Sequence, residues 1–326
     1  MGLLGLLAQS GGSVKEIGYL FPGQGAQAVG MGSDFYKNSL EARSVFDQAD
    51  RSLGFRLSKL CFEGPDSELT RTVNAQIAIF VASIAVLRAI QVSYPRLKPS
   101  LGCGLSLGEF TALVALEAIS FEDGLQLVQK RGRLMEEANQ KNPGTMASIL
   151  GLSVHDCTSL CKETGTELAN LNSHEQIVIS GPIEAVNNAC QIAKTKGAKR
   201  AIPLKVGGAF HSSLMASARV GLEEALRKIR IEEPKSTFIP NVTGEPVSNP
   251  ERIKTLLAEQ LTSPVQWIKT IKSIGRLGLM ELLEIGPGCV LKGLARKINP
   301  ELTVTNIEKS ADLEQLKPVV GLINAS

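Results

Sequence analysis

Residues 99–119 read PSLGCGLSLGEFTALVALEAI. The run 99–103 is short and apolar, as a strand would be, and the stretch from Leu107 onward has the composition of a helix. Between them Gly104 and Gly108 flank Ser106 in the pattern G-x-S-x-G. Strand, tight turn, helix is the order that lifts a serine hydroxyl out of a sheet and leaves the next N–H, here that of Leu107, free at a helix start. The same letters also spell a plain helix N-terminus, with Ser106 as cap and Glu109 closing a capping box. One reading makes an open α/β sheet with chemistry at its edge, the other only a loop.

Working outward, β-like runs at 16–21, 99–103, 144–151, 167–172, 176–180, 199–206, 236–241, 279–285 and 302–307 alternate with helical patterns, which predicts an α/β fold. Between 139 and 206 the order becomes β-α-β-β-α-β, that of a ferredoxin-like unit. Helices expected over 121–139 and 211–230 flank it. It therefore reads as an insertion, with residues 1–138 and 207–326 forming a large subdomain and 139–206 a small one. The apolar run 75–92 is broken by Gln76, Ser83, Arg88 and Gln91, so it predicts a core helix and not a membrane span.

The bulk numbers exclude several classes. The chain has 326 residues, 43% hydrophobic and 21% charged, which suits a folded protein with a sizeable core. Lysine and arginine number 35 against 32 acids, too balanced for a nucleic-acid binder. Cys61, Cys103, Cys157, Cys161, Cys190 and Cys289 show neither C-x-x-C nor zinc spacing, so no metal is expected and all read as buried thiols in a reducing compartment. The start, MGLLGLLAQSGGSVKE, lacks a positive region before its apolar run and has Leu6 where a myristoylation signal needs Ser or Thr. It reads as a flexible leader.

A hydroxyl nucleophile needs a base, and the chain has three histidines. His155 and His174 fall in the small unit at positions expected to be exposed. His211 follows Gly207-Gly208 and stands at the head of a helical stripe of Leu214, Met215, Ala218, Leu222 and Leu226. It suits either a base facing inward or a core histidine. Arg131 falls on the inward stripe with Leu127, Val128, Leu134 and Met135, a costly place unless it meets an anion. That anion is an internal acid or a substrate carboxylate. Gly23, Gly25 and Ala28 match a dinucleotide fingerprint, but 41–54 has helical spacing where that motif needs a strand ending in an acid. The alternative is that these glycines let main-chain N–H groups approach a ligand oxygen. No acid between 107 and 210 stands at a strand end to complete a triad.

Taken together, FPGQGAQ (21–27), GLSLGEF (104–110), QKRGRLM (129–135), GAFHSSLM (208–215), SPVQW (263–267) and EIGPGCVLKGL (284–294) resemble the malonyl-CoA:acyl carrier protein transacylase family over nearly the whole chain. The resemblance implies an α/β-hydrolase-like large subdomain carrying the ferredoxin-like insertion, with the cleft between them. It implies Ser106 as nucleophile, His211 as base, and Gln24 and Leu107 as main-chain oxyanion donors. Arg131 would pair with the malonyl carboxylate, the main-chain carbonyl of Gln266 would orient the imidazole, and the bulk of Phe210 before the histidine would go with malonyl over methylmalonyl. Leu105 departs from the histidine that many members have at that position.

The implied partners are malonyl-CoA and an acidic carrier protein, in fatty acid synthesis or on a polyketide assembly line, with no cofactor, no nucleic acid and no membrane. The expected protein is a monomer of the cytoplasm, or of the plastid stroma for a plant-like source. Two basic clusters compete as the carrier's docking face: Lys194, Lys196, Lys199, Arg200 and Lys205, and Lys292, Arg296 and Lys297. A serine esterase or thioesterase on the same elbow, and a catalytically dead carrier-docking module, are the rival readings.

Overall fold

A computed structural model describes residues 16–319, so the leader read at 1–15 lies outside the described residues. Among the described residues nine strands form two sheets: β1 (Ile17–Phe21), β2 (Leu101–Gly104), β3 (Gly144–Leu150), β4 (Glu167–Ser173), β5 (Gln176–Pro182), β6 (Arg200–Pro203), β7 (Thr237–Phe238), β8 (Glu281–Ile285) and β9 (Thr303–Ile307). The first sheet is parallel throughout, in the order β7-β2-β1-β8-β9. Every residue of β1 and β2 is buried, as expected of parallel strands covered on both faces by helices. The chain steps from β1 to β2 on one side and later returns to β8 on the other, so the strand order reverses at β1. Such a switch point is where open α/β sheets place their ligands.

The second sheet is antiparallel, in the order β4-β5-β3-β6, with Gly144 opposite Pro182 and Leu150 opposite Gln176. Helices Val154–Thr164 and Ile183–Thr195 pack on it, and Ala147, Ile149, Cys157, Leu160, Ile177, Ile179, Val186 and Ala189 form a core of their own. The chain crosses back through Val265, which accepts from Leu171 N and donates to Ala169 O, each at 2.9 Å.

The long helix Thr72–Ser93 is apolar and long enough to cross a bilayer, but it is buried along most of its length inside this fold. Helix Phe121–Lys141 starts where Ser120 accepts from Asp123 N, and it buries Leu127, Val128, Arg131, Leu134 and Met135 on one face, as the spacing predicts.

Several boundaries differ from expectation. The 236–241 run pairs only over Thr237–Phe238, since Pro240 has no N–H for the ladder. The 199–206 run leaves its sheet after Pro203. The helix expected from 211 begins as a 3₁₀ turn at Ser213 and becomes α-helical at Ala216. Cys289 is exposed, unlike the other five thiols.

Candidate active site

The turn after β2 is built by absent side chains. A Cβ on Gly104 would lie 2.2 Å from the carbonyl carbon of Gly108, and one on Gly108 would lie 2.2 Å from the carbonyl oxygen of Phe21. Both positions therefore require glycine, and Ser106 between them is held at φ 52°, a left-handed conformation unusual for a side chain of this kind. The loop after β1 closes on this turn in the same way, since a Cβ on Gly23 would meet Leu105 O at 2.4 Å. So Gly23 serves contact with the serine turn, and Gln24 is carried beside it. Leu105 is half-buried against the apolar cluster of Val265, Trp267 and Ile271, which absorbs the departure from histidine.

Ser106 Oγ lies 2.9 Å from His211 Nε2. It does not cap the helix, and the Glu109 side chain turns inward, so the capping-box reading fails. His211 is buried and sits at φ 59°, outside any helix; its inward aim comes from this local turn and not from helical spacing. Its Nδ1–H donates to the main-chain carbonyl of Gln260 at 2.8 Å, which leaves Nε2 as the acceptor facing Ser106.

Here the expectation for Gln266 is corrected. The Gln266 carbonyl is taken up by Thr270, through N at 3.0 Å and Oγ1 at 3.3 Å, in the first turn of helix Trp267–Arg276. Gln260, in the 3₁₀ turn Gln260–Thr262, orients the ring instead. Burial pushes the imidazole down to about 4, the Arg131 charge adds to this, and the carbonyls of Gln260 and Ser263 oppose it.

The guanidinium of Arg131 turns into this site with 1% exposure. Nη1 donates to Gln76 Oε1 at 2.7 Å, and Nη2 donates to Ser106 Oγ at 2.9 Å and Gln260 Oε1 at 2.8 Å. Among the described residues no carboxylate lies within ion-pair distance of it, and its Nε is buried without a partner. Its direct partners are thus two amide oxygens and a hydroxyl, and the internal acid, Glu109, acts on it only at longer range. Burial lowers Arg131 to about 10, which leaves it charged near neutrality.

The Gln24 and Leu107 N–H groups donate to no other group among the described residues, and Leu107 stands immediately before helix Gly108–Ala115. The Gln24 side chain is tied to Thr72 Oγ1 at 3.3 Å. Phe210 is buried against Gly208, at 5% exposure. His155 and His174 are exposed, as expected.

The sequence reading did not assign Asn241, Gln260 or Gln76 to the site. Asn241 Oδ1 accepts from Ser106 N at 2.6 Å while its Nδ2 donates to Gly104 O at 2.7 Å, which braces the turn from both sides. Both basic clusters are exposed, although Lys196 and Lys199 pair with Glu163 and Glu175. The helix carrying Lys292, Arg296 and Lys297 follows Gly288, which rests near Ala26 of the loop that bears Gln24.

A hydroxyl on a buried neutral imidazole, beside unpaired main-chain donors, is equipped to accept and pass on an acyl group. Residues 18–310 match the model of the acyl transferase domain family. The malonyl CoA-acyl carrier protein transacylase of Bacillus subtilis is 42% identical over 306 residues, 92% of this chain and 96% of that protein. The chain belongs to the malonyl CoA-acyl carrier protein transacylase family. The Haemophilus influenzae transacylase is 36% identical, covering 93% of this chain and 99% of its own length. Among solved structures, an acyl-carrier-protein S-malonyltransferase from Bartonella henselae superposes with a TM-score of 0.91 at 38% identity, covering 94% of this chain and 99% of that one. A malonyl-transacylase solved in complex with its type II PKS acyl-carrier protein superposes at 0.90 with 36% identity, covering 96% and 100%. In this transacylase family member, the matched region includes every site residue described above.

Proposed function

We propose that the chain moves the malonyl group of malonyl-CoA to the phosphopantetheine thiol of an acyl carrier protein in fatty acid synthesis, by double displacement through Ser106. The observation that carries this reading is the buried guanidinium of Arg131 in contact with Ser106 Oγ and without a carboxylate partner. A buried cation so placed favours an acyl group that brings its own carboxylate. In the first half-reaction the Ser106 proton passes to His211 Nε2 as Oγ attacks the thioester carbon. The oxyanion forms against the N–H groups of Gln24 and Leu107. The C–S bond breaks, and the sulfur of CoA takes the proton from His211. In the second, the carrier thiol gives its proton to His211 and attacks the serine ester, and Ser106 regains its proton as the C–O bond breaks. Holding the carboxylate on Arg131 fixes the acyl carbon for both attacks.

In this reading residues 139–206 are a ferredoxin-like subdomain inserted in an α/β-hydrolase-like one, and the site lies where the two meet. The segment 260–266, which orients His211 and pairs with β4, supports that view. The carrier docks on one of the two exposed basic faces. Five buried thiols suit a reducing cytoplasm.

Intact-mass measurement tests the reading. Malonyl-CoA alone should load one malonyl group, on the peptide containing Ser106, and holo carrier protein should discharge it onto itself. Rapid release of free malonate without carrier would make the protein a hydrolase and overturn the proposal.

A second expectation concerns pH. Because burial holds His211 at about 4, below its ordinary 6.5, the base stays neutral well into acid, and the acid limb of kcat/KM should have its midpoint below 6. Arg131→Ala removes a cation from beside the ring and should move that midpoint upward. A native midpoint at 6.5 or above, measured by acylation rate across pH 4 to 8, would contradict this assignment.

A further inference from the structure

We propose that Glu109 is a positioning residue: it fixes which end of the Gln260 side-chain amide faces Arg131, and so sets the aim of the guanidinium and the choice of acyl group. The inference rests on the reading of Arg131 given above.

A glutamine amide is nearly symmetric in shape, but one end only accepts hydrogen bonds and the other only donates them. At Gln260 the donor end, Nε2, faces Glu109 Oε2 at 2.6 Å, Ser106 O at 2.9 Å and Asn241 Oδ1 at 3.5 Å, all acceptors. The acceptor end faces Arg131 Nη2 at 2.8 Å. Turned about, the amide would present N–H to the guanidinium and a lone pair to three oxygens. Glu109 stands against that turn together with Ser106 O and Arg131 Nη2, and makes the shortest contact to Nε2. It is fully buried, it lies one residue past Gly108 in the helix that follows Ser106, and its Oε1 is already engaged by Asn241 N–H. Both of its oxygens thus meet N–H donors, which is the arrangement of a carboxylate. Burial raises its pKa by more than Asn241 N–H, the Arg131 charge and the Gln260 amide lower it, to about 8 in all, so at neutral pH its hold on Gln260 rests on hydrogen-bond geometry rather than on full charge.

The arrangement matters most once Ser106 carries an acyl group. Arg131 has three partners in the free protein, and one of them is Ser106 Oγ. Acylation turns that oxygen into an ester, and the guanidinium is then aimed by the amide oxygens of Gln76 and Gln260 with the substrate carboxylate. An amide at 260 facing the wrong way would put a donor beside a cation at that moment.

Glu109→Gln is the direct test. The introduced amide has one acceptor end for two donors, Asn241 N–H and Gln260 Nε2, so whichever way residue 109 turns one of them loses its acceptor, and the hold on the Gln260 amide weakens toward what Ser106 O and Arg131 Nη2 supply. The quantity to measure is the ratio of kcat/KM for self-acylation by malonyl-CoA and by acetyl-CoA. In the native background Glu109→Gln should lower this ratio about tenfold or more, the scale of leaving one buried donor without its acceptor. Gln260→Ala, which retains the main-chain carbonyl that holds His211, should lower it similarly. In the Gln260→Ala background, adding Glu109→Gln should then change the ratio less than about twofold, because the two act as one unit. An unchanged ratio in folded Glu109→Gln, or an equal loss in both backgrounds, overturns the proposal. If Glu109→Gln does not accumulate folded, Gln260→Ala decides alone, and an unchanged ratio overturns it. An Arg131→Ala control separates the two levels: preference retained there overturns the reading of Arg131 and this inference with it, whereas preference lost there but kept in Glu109→Gln overturns only the role of Glu109.

Discussion

Replacing His211 with alanine will slow transfer of the malonyl group by about 10⁴-fold or more, the range seen when the base of a serine nucleophile is removed. The geometry explains why no neighbour can substitute. Ser106 Oγ has two close polar partners, His211 Nε2 and Arg131 Nη2, and the second can only donate. The ring is committed to its task by the Gln260 carbonyl, which fixes the proton on Nδ1, and by burial, which keeps Nε2 unprotonated. Ser106→Ala should fall to the same floor, and the double variant should be no worse than either single one, because a base without its nucleophile has nothing to act on. Rapid-quench acylation with malonyl-CoA, on variants whose thermal unfolding matches the native protein, measures this. A His211→Ala protein that keeps a tenth of the native rate would remove the imidazole from the mechanism.

The parts of this molecule that the sequence foretells are those whose signal is local. Buried parallel strands are short apolar runs, so β1 and β2 are legible, and the two glycines around Ser106 mark a turn that only their missing side chains allow. Arg131 is legible because a cation on an apolar stripe is out of place. The helical stripe points to His211 for a partly wrong reason: the residue is inward, but through a left-handed backbone before the helix rather than by its place on a helical face. The carbonyl that holds its ring could not be found this way. Every residue has a carbonyl, and whether that of Gln260 or Gln266 reaches Nδ1 depends on how 260–266 folds across the gap between the sheets. Gln76, Asn241 and Gln260 escaped notice for a related reason. A neutral amide in an apolar run has no charge to mark it, and its partners are far away in the chain.

Arg131→Ala should erase the preference for malonyl over acetyl thioesters, and this is the outcome on which substrate choice turns. The guanidinium is charged near neutrality despite its burial, is cut off from solvent, and has its N–H groups directed at Gln76, Ser106 and Gln260. A malonyl carboxylate beside it would exchange water for a buried ion pair, and truncating one member of such a pair costs about 2–5 kcal/mol, or roughly 30-fold to several thousandfold in kcat/KM. Acetyl-CoA brings no carboxylate and in the native protein leaves the cation without a carboxylate in direct contact, so its rate should hold or rise in the variant as malonyl-CoA loses its advantage. Arg131→Lys should rescue only in part: an ammonium is a point charge and cannot reproduce the planar fork that spans Gln76 and Gln260 while still facing the ester. Competition between the two thioesters, read as malonyl-serine against acetyl-serine by mass, gives the ratio in one experiment. A variant whose ratio stays within about threefold of native, below the range expected for losing a buried ion pair, would mean that selectivity comes from the shape of the pocket, with Phe210 the first residue to examine.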